Sequence, residues 1–576
     1  MQKTYSYAEF PYVQSAAQRS GVVQRHPLVI IGAGPVGLSL ALDCAARGLA
    51  CVVLDDNNSV SIGSRAVCYA KRTLEVWDRL GVAAPLVEQG VNWQVGKVFF
   101  RDELAYQFDL LPQTAHHMPA MINLQQYYLE AALVAACQRQ PLIDLRWKHK
   151  LSGLTQAEAG SAAEGDDSPA RLTITTPDGS FQAEADWVVA CDGANSDTRH
   201  MLGADFAGKF FQDRFLIADV VLADGGSALP AAQQASTTGS ATAFGWQQLG
   251  SAPERWFWFD PPFHPGQSVL LHKQCDKVWR IDFQLGWDAD PVQEKRPENV
   301  IPRIQAMLGP HARFELEWVS VYQFACRRIK QFRHGRVLFA GDAAHQVSPF
   351  GARGANSGVQ DADNLAWKLA AVLARRAPAA LLDSYHAERS FAADDNLRQS
   401  TRSTDFISPK SRASLRLRNA VLELAKTEAF ARPLVNSGRL STPTPYLTSA
   451  LNTPDEAADE FAAAMQPGSP CADAPLHKAG QAGWLLQQLG QGFVLLSFGV
   501  GPEFADVFGC RSMAVGRDID DSAGLIAQRY DGRSGTVYLI RPDQYVAARW
   551  RQFDAAKITA ALCRCLALDP HTGGRI

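Results

Sequence analysis

The sequence predicts an α/β fold built on a parallel sheet, and the ends of three apolar runs predict it. They are VIIGAGPVG (Val29 to Gly37), DWVVACDGANSDTR (Asp186 to Arg199) and LFAGDAAHQVSPFGARGANSGVQD (Leu338 to Asp361). Each is a short buried-strand pattern that stops at a glycine or an acid. The carboxyl ends of such strands are where open α/β sheets present groups to a ligand.

In the first run, Gly32, Gly34 and Gly37 form a GxGxxG turn into a helix that reaches Arg47 and is capped by Gly48. The glycines permit a tight turn, close approach of backbone to a pyrophosphate, and packing of helix on sheet. A second strand, ACVVL, ends in Asp55, placed to bind a ribose hydroxyl. Strand, glycines, helix, strand and acid in this order make a Rossmann-type dinucleotide site, without saying which dinucleotide. In the second run, Asp192-Gly193 is by itself a common turn and takes its weight from the order of the motifs. In the third, RVLFAG (Arg336 to Gly341) is a strand that ends beside Asp342, whose carboxylate can accept hydrogen bonds from a polyol. Pro349, Gly351 and Gly354 make an irregular loop, and Asn356 to Ala374 reads as a helix through Leu365, Leu369, Val372 and Leu373. Its free N–H groups and positive dipole end suit a group that becomes anionic.

Composition bounds the rest. At 576 residues the chain exceeds one core and suggests three or four units at about 150 residues per domain. A net charge of −3 indicates neither nucleic acid nor an anionic membrane as partner. No apolar run reaches the roughly 18 residues of a membrane span. The first 26 residues lack the apolar core of a signal peptide, which predicts a cytoplasmic protein. Eleven cysteines without a CxxC or zinc pattern are expected to be free thiols, with no metal site. GVGPEF at Gly499 has Phe504 where a third glycine would stand and reads as a turn, so the chain has one dinucleotide motif.

In this order, GAGPVG, CDGANSDTR and FAGDAAH resemble the FAD-dependent aromatic hydroxylases, the class A flavoprotein monooxygenases of the p-hydroxybenzoate hydroxylase type. SRAVCYAKRTLEVWDRLG from Ser64, QYYLEAAL from Gln126, NLAWKLAAVL from Asn364 and YLIRPDQYVAARW from Tyr538 are most similar to the 3-(3-hydroxyphenyl)propionate hydroxylase and phenol hydroxylase branch. The resemblance implies tightly bound FAD, NADH or NADPH as a transient visitor, and O2 as co-substrate. A small phenolic substrate would be hydroxylated through a flavin C4a-hydroperoxide, and a homodimer is implied as possible. It also implies roles. Gly32, Gly34 and Gly37 would hold the pyrophosphate and Asp55 the adenosine ribose, while Arg65 and Gln126 would contact the ribityl-phosphate region. Asp192 would serve FAD and nicotinamide handling, Asp342 the ribityl chain, and Pro349 the flavin near the reacting carbon. Backbone amides at Gly354, Ala355 and Asn356 would meet the pyrimidine edge. Ala352-Arg353 departs from the usual Gly-Gln, and Arg353 would either add positive charge beside flavin or substrate or point to solvent.

The chain divides by pattern into an N-terminal extension (1–26) and an FAD-binding domain (27–435) interleaved with a sheet over the substrate (about 92–120 and 206–328). A linker (436–470) follows, then a domain (471–576) that resembles the thioredoxin fold without its CxxC. Substrate contacts are expected from Arg214, Trp258, His264, Tyr322 and Phe350, with Trp256, Phe283, Phe324, His272 and His345 as further candidates. Two rivals stand beside the hydroxylase. One is a flavin-dependent halogenase, suggested by Trp256 to Pro261, and the other is a catalytically silent flavin-binding protein.

Overall fold

The computed structural model describes residues 4–156, 168–222, 254–435, 440, 442–456, 460–462, 464–499 and 508–569. The turn expected at GVGPEF and most of the low-complexity patch after Gln156 lie outside the described residues. The apolar runs become the core of an eight-stranded sheet whose main path, Arg333–His334, Val337–Phe339, Gly179–Ala190, Gln24–Ile31, Cys51–Asp55 and Ile143–Trp147, is parallel except for its first pair, while Ala170–Thr176 and Lys150–Thr155 join antiparallel beside Gly179–Ala190. Their strands read as continuous apolar runs because they are buried in one core with the helices Pro35–Ala46 and Gln126–Gln138 packed on them. Register then decides the site. Ile31 pairs with Ala190 and Leu54, and Ala190 pairs with Phe339, so the glycine turn, Asp55, Asp192 and Asp342 leave one edge of the sheet together.

The helix Pro35–Ala46 starts at this edge and packs on Gly354–Leu373. The latter begins two residues earlier than its periodicity predicts, because Gly354 and Ala355 carry no apolar side chain to mark the turn they form. Gly37 can be nothing larger, since a Cβ there would lie 2.0 Å from the Gly32 carbonyl oxygen.

A second sheet lies over this edge, ordered His345–Gln346, Phe314–Ile329, Phe206–Leu222, Val278–Leu285, Ser268–Lys273, Arg255–Phe259, Val95–Phe100 and Glu103–Asp109. Side chains alternate along each strand, so it has two faces. Leu216, Ala218, Trp256, Trp258, Val269, Leu271, Ile281 and Phe283 form one, packed with Val300, Ile304 and Met307 of the helix Pro297–Leu308. Ile217, Arg255, Leu270, His272, Arg280, Asp282, Tyr322 and Phe324 lie on the other, toward the first sheet.

Near the C-terminus, Arg511–Val515, Val494–Phe498, Val537–Ile540 and Val546–Trp550 form a four-stranded sheet, its first pair parallel and the others antiparallel. It shares an apolar core with Trp367, Ala371 and Leu381 of the first unit. A buried ionic contact adds to this seam: Arg541 reaches Glu388 at 2.6 Å, and Arg72 donates to the Asp543 carbonyl at 2.6 Å. The N-terminal segment lies on the first sheet, where Phe10 stacks on Trp147 at 4.6 Å. Tyr7 accepts from the Gly63 amide at 3.0 Å and so ties the segment to the loop that carries Arg65.

Candidate active site

Between the two sheets lies a cavity of about 1230 Å³ that runs from the glycine turn to the face of the second sheet. Its first end is made of backbone. Gly34 has open space where a Cβ would stand, leaving the helix start at Pro35 accessible to an anionic group. Asp55 accepts from the amides of Ala33 at 2.6 Å and Asn57 at 2.8 Å, which fixes its carboxylate at the strand end. Burial pushes that carboxyl up, and those amides pull it back.

The middle of the cavity is a set of fastened loops. Gln126 accepts from the Ala66 amide at 3.1 Å and donates to Glu130 at 2.7 Å, so it positions the 61–66 loop as well as lining the cavity. Arg65 in that loop holds a left-handed φ of 38°, and Arg280 donates to its carbonyl at 2.7 Å. Asp192 accepts from Thr198 through one oxygen, while its other oxygen is buried without a partner among the described residues. Asp342 opens onto the cavity, and the surrounding protein pushes its carboxyl up while His345 lowers it. Asp361 holds this turn from behind. It accepts from the Gly341 amide at 2.9 Å and bonds His345 at 2.7 Å and Arg389 at 2.5 Å.

Pro349, Phe350, Ala352, Arg353, Gly354 and Ala355 border the same space, and the helix Gly354–Leu373 points its N-terminus into it. Asn356 is different. Its side chain accepts from the Ala70 amide at 2.8 Å and donates to the Cys68 carbonyl at 2.9 Å, stitching the helix start to a neighbouring strand. Arg353 does not point to solvent. It is buried and donates to Asn396 at 3.1 Å.

The far end is an aromatic chamber with a charged floor. Phe350 packs edge-on against Phe215 and Phe324 at 4.8 and 5.3 Å, with Tyr322 beside Phe215. Arg255, His272, Arg280 and Asp282 face the same space, and Arg280 pairs with Asp282 at 3.0 Å. Burial, then Arg255 and Arg280, hold His272 well below the usual histidine range, so it is neutral.

Three expected substrate contacts fall elsewhere. Trp258 stacks on Phe99 in the helix-covered core, because the alternation that turns Arg255 inward turns Trp256 and Trp258 away. That also removes the halogenase-like tryptophans from the chamber. Arg214 donates to the Trp287 and Ala289 carbonyls at the sheet's rim, and His264 bonds the Gln284 carbonyl at 2.7 Å behind Phe283. Phe283 is on the same helix-covered face, and His345 is enclosed beside Asp361. Arg255 and Arg280 stand outside the expected contacts, although the sequence carries a signal for them: a charge inside RWFWF and VWRIDFQL is costly unless it faces a partner or a ligand.

The geometry fits FAD. An open glycine turn, the orphaned Asp192 oxygen and the cavity-facing Asp342 border one cavity, and a helix N-terminus borders the same space, suited to a group that becomes anionic. Among the described residues no group of three His, Cys, Asp or Glu could hold a metal ion, and no helix is long and apolar enough to cross a membrane.

Comparison with known proteins agrees. A 3-(3-hydroxy-phenyl)propionate/3-hydroxycinnamic acid hydroxylase of Mycobacterium sp. (strain KMS) is 27% identical over 95% of this chain and 92% of its own. A probable NADH-specific resorcinol 4-hydroxylase of Rhodococcus jostii (strain RHA1) is 28% identical over 92% of this chain and 93% of its own. Among solved structures, the flavin-dependent monooxygenase PieE in complex with FAD and substrate superposes with a TM-score of 0.78 at 21% identity, covering 95% of this chain and 99% of that one. The family model described as FAD binding domain matches residues 25–400, more than half of the chain, so the chain belongs to that family and is a flavoprotein monooxygenase.

Proposed function

We propose that this enzyme hydroxylates a small phenolic ring with FAD, a nicotinamide reductant and O2. The observation that carries the reading is one cavity in which the dinucleotide turn, the Pro349 loop and an aromatic chamber are continuous. FAD, when bound, supplies the reduction by NAD(P)H and the activation of oxygen; the protein supplies position and shelter. Gly32, Gly34 and Asp55 bind the adenosine and pyrophosphate, with Gly37 keeping the helix close. Arg65, Gln126, Asp192 and Asp342 hold the ribityl-phosphate region. Gly354 and Ala355 would offer amides to the flavin at the helix start, Asn356 fixes that start, and Pro349 would help hold the ring from the same loop. Phe324, Phe350 and Tyr322 orient the phenol and exclude water, which would otherwise divert reduced oxygen to H2O2.

NADH is the reductant we favour, supported by the NADH-specific relative. The C-terminal four-stranded sheet with its flanking helices supports a thioredoxin-like unit without CxxC, serving as a structural buttress. Eleven cysteines, none in a disulfide among the described residues, support a reducing, cytoplasmic setting. A homodimer completes the proposal. The test is a panel of phenols and phenolic acids scored for NAD(P)H oxidation, O2 uptake and product. Coupled formation of a catechol or hydroquinone is expected; halide-dependent turnover, or H2O2 alone with every compound, would overturn the reading.

A further inference from the structure

Arg255 stands apart from three other buried arginines named above. Arg72, Arg389 and Arg541 are similarly enclosed, and each closes on a carboxylate at 2.5–3.0 Å. Arg255 is only 6% exposed, lines the chamber, and forms no ion pair among the described residues. Its hydrogen bond is a long one, 3.5 Å to the Phe350 carbonyl. Trp93 flanks its guanidinium at 6.0 Å from the ring. Burial outweighs the nearby charges: Asp282 attracts Arg255 but bonds Arg280 at 3.0 Å and forms no ion pair with Arg255, and His272 is neutral. A guanidinium taken out of water without a counter-charge is expensive, and the cost is recovered when a ligand brings a fixed negative charge.

Resting on the hydroxylase reading, we propose that Arg255 anchors a carboxylate carried by the phenolic substrate, so that the enzyme acts on hydroxyphenyl acids rather than on uncharged phenols. A carboxylate is charged at neutral pH and matches the planar fork of a guanidinium. A phenol, ionising near pH 10, brings no such charge. The anchor also explains the direction of the ring. Arg255 is tied to the Phe350 carbonyl in the Pro349 loop, so an acid held there places its ring among Phe350, Phe324 and Tyr322.

The test uses the FAD-loaded enzyme and a matched pair, a hydroxyphenyl alkanoate and the alkylphenol of equal chain length. Binding is measured by calorimetry and turnover by coupled O2 uptake, for wild type, Arg255→Met and Arg255→Lys. Wild type is expected to bind the acid at least 30-fold more tightly than the alkylphenol. Arg255→Met should erase that preference while changing the alkylphenol less than threefold, and Arg255→Lys should restore part of it. Equal weakening of both ligands by Arg255→Met, or a wild type that binds the alkylphenol as well as the acid, would overturn the anchor. Turnover separates the two readings: tight, Arg255-dependent binding of the acid without oxygenated product sinks the hydroxylase reading and leaves the anchor standing. Should Arg255→Met lose its FAD, the Arg255→Lys enzyme and the wild-type preference decide the question.

Discussion

The two ends of the cavity are built by different means. At the cofactor end, short contiguous motifs supply backbone amides, glycines and strand-end acids, all delivered to one sheet edge by register. At the substrate end, single side chains from five strands meet on one face, and the residues between them in sequence face a separate core. A backbone cradle tolerates little change in the residues that shape it, whereas a face of side chains can be altered one at a time. The cofactor end is therefore where one methyl group does most harm.

Gly37→Ala is the sharpest way to challenge that contrast. Its Cβ would stand 2.0 Å from the Gly32 carbonyl oxygen, a backbone atom that cannot rotate away. Helix and glycine turn must separate, at a cost of about 3 kcal/mol or more. The purified variant should carry less than a tenth of the wild-type FAD by absorbance. A variant that keeps full FAD and normal thermal stability would show that the turn is not the rigid element described.

The same contrast explains what was legible in the sequence. Gly32, Gly34, Asp55, Asp192, Asp342 and Pro349 could be read because their meaning lies in local order, strand then glycine then acid. Tyr322 and Phe350 reached the chamber, but Trp258, Arg214 and His264 did not, and the reason is period 2. A shift of one position exchanges every residue between faces, and RWFWF offers aromatic residues to both. Only pairing with Ser268–Lys273 and Val95–Phe100 settles which face meets the cavity. Asn356 shows a different limit: its position was readable, while its side-chain bonds to residues 68 and 70 depend on contacts almost 290 positions away.

Asp219 sharpens the comparison from the substrate sheet. It is buried behind the Arg65 loop, and desolvation pushes its carboxyl up to about 6 against the pull of Arg280 and Ser64. The folded state then holds a proton that the unfolded chain releases near pH 4, so stability from this group is greatest below pH 4 and is lost as pH rises through 6. The change amounts to roughly 2 kcal/mol between pH 4 and pH 8. Asp219→Asn removes the titration. In urea unfolding of the holoprotein, the variant should gain on wild type by about that amount between the two pH values, with FAD retained. A constant difference at both would place the carboxyl near its ordinary range.

The smallest effect belongs to Ala352, where the cofactor loop uses a side chain in place of glycine. Its φ of 51° and ψ of 40° are left-handed, a conformation that costs an alanine about 1 kcal/mol. Ala352→Gly relieves that strain, but it also frees the unfolded chain, worth about 0.7 kcal/mol in the opposite direction. It further removes a half-buried methyl packed near Ala70, Trp93 and Met121, worth about 0.4 kcal/mol. The terms nearly cancel, so the variant should unfold within about 0.5 kcal/mol of wild type. A gain above about 1 kcal/mol in the same urea titration would mean that the loop stores strain which the methyl contact does not offset, and that the cofactor end is less relaxed than its hydrogen bonds indicate.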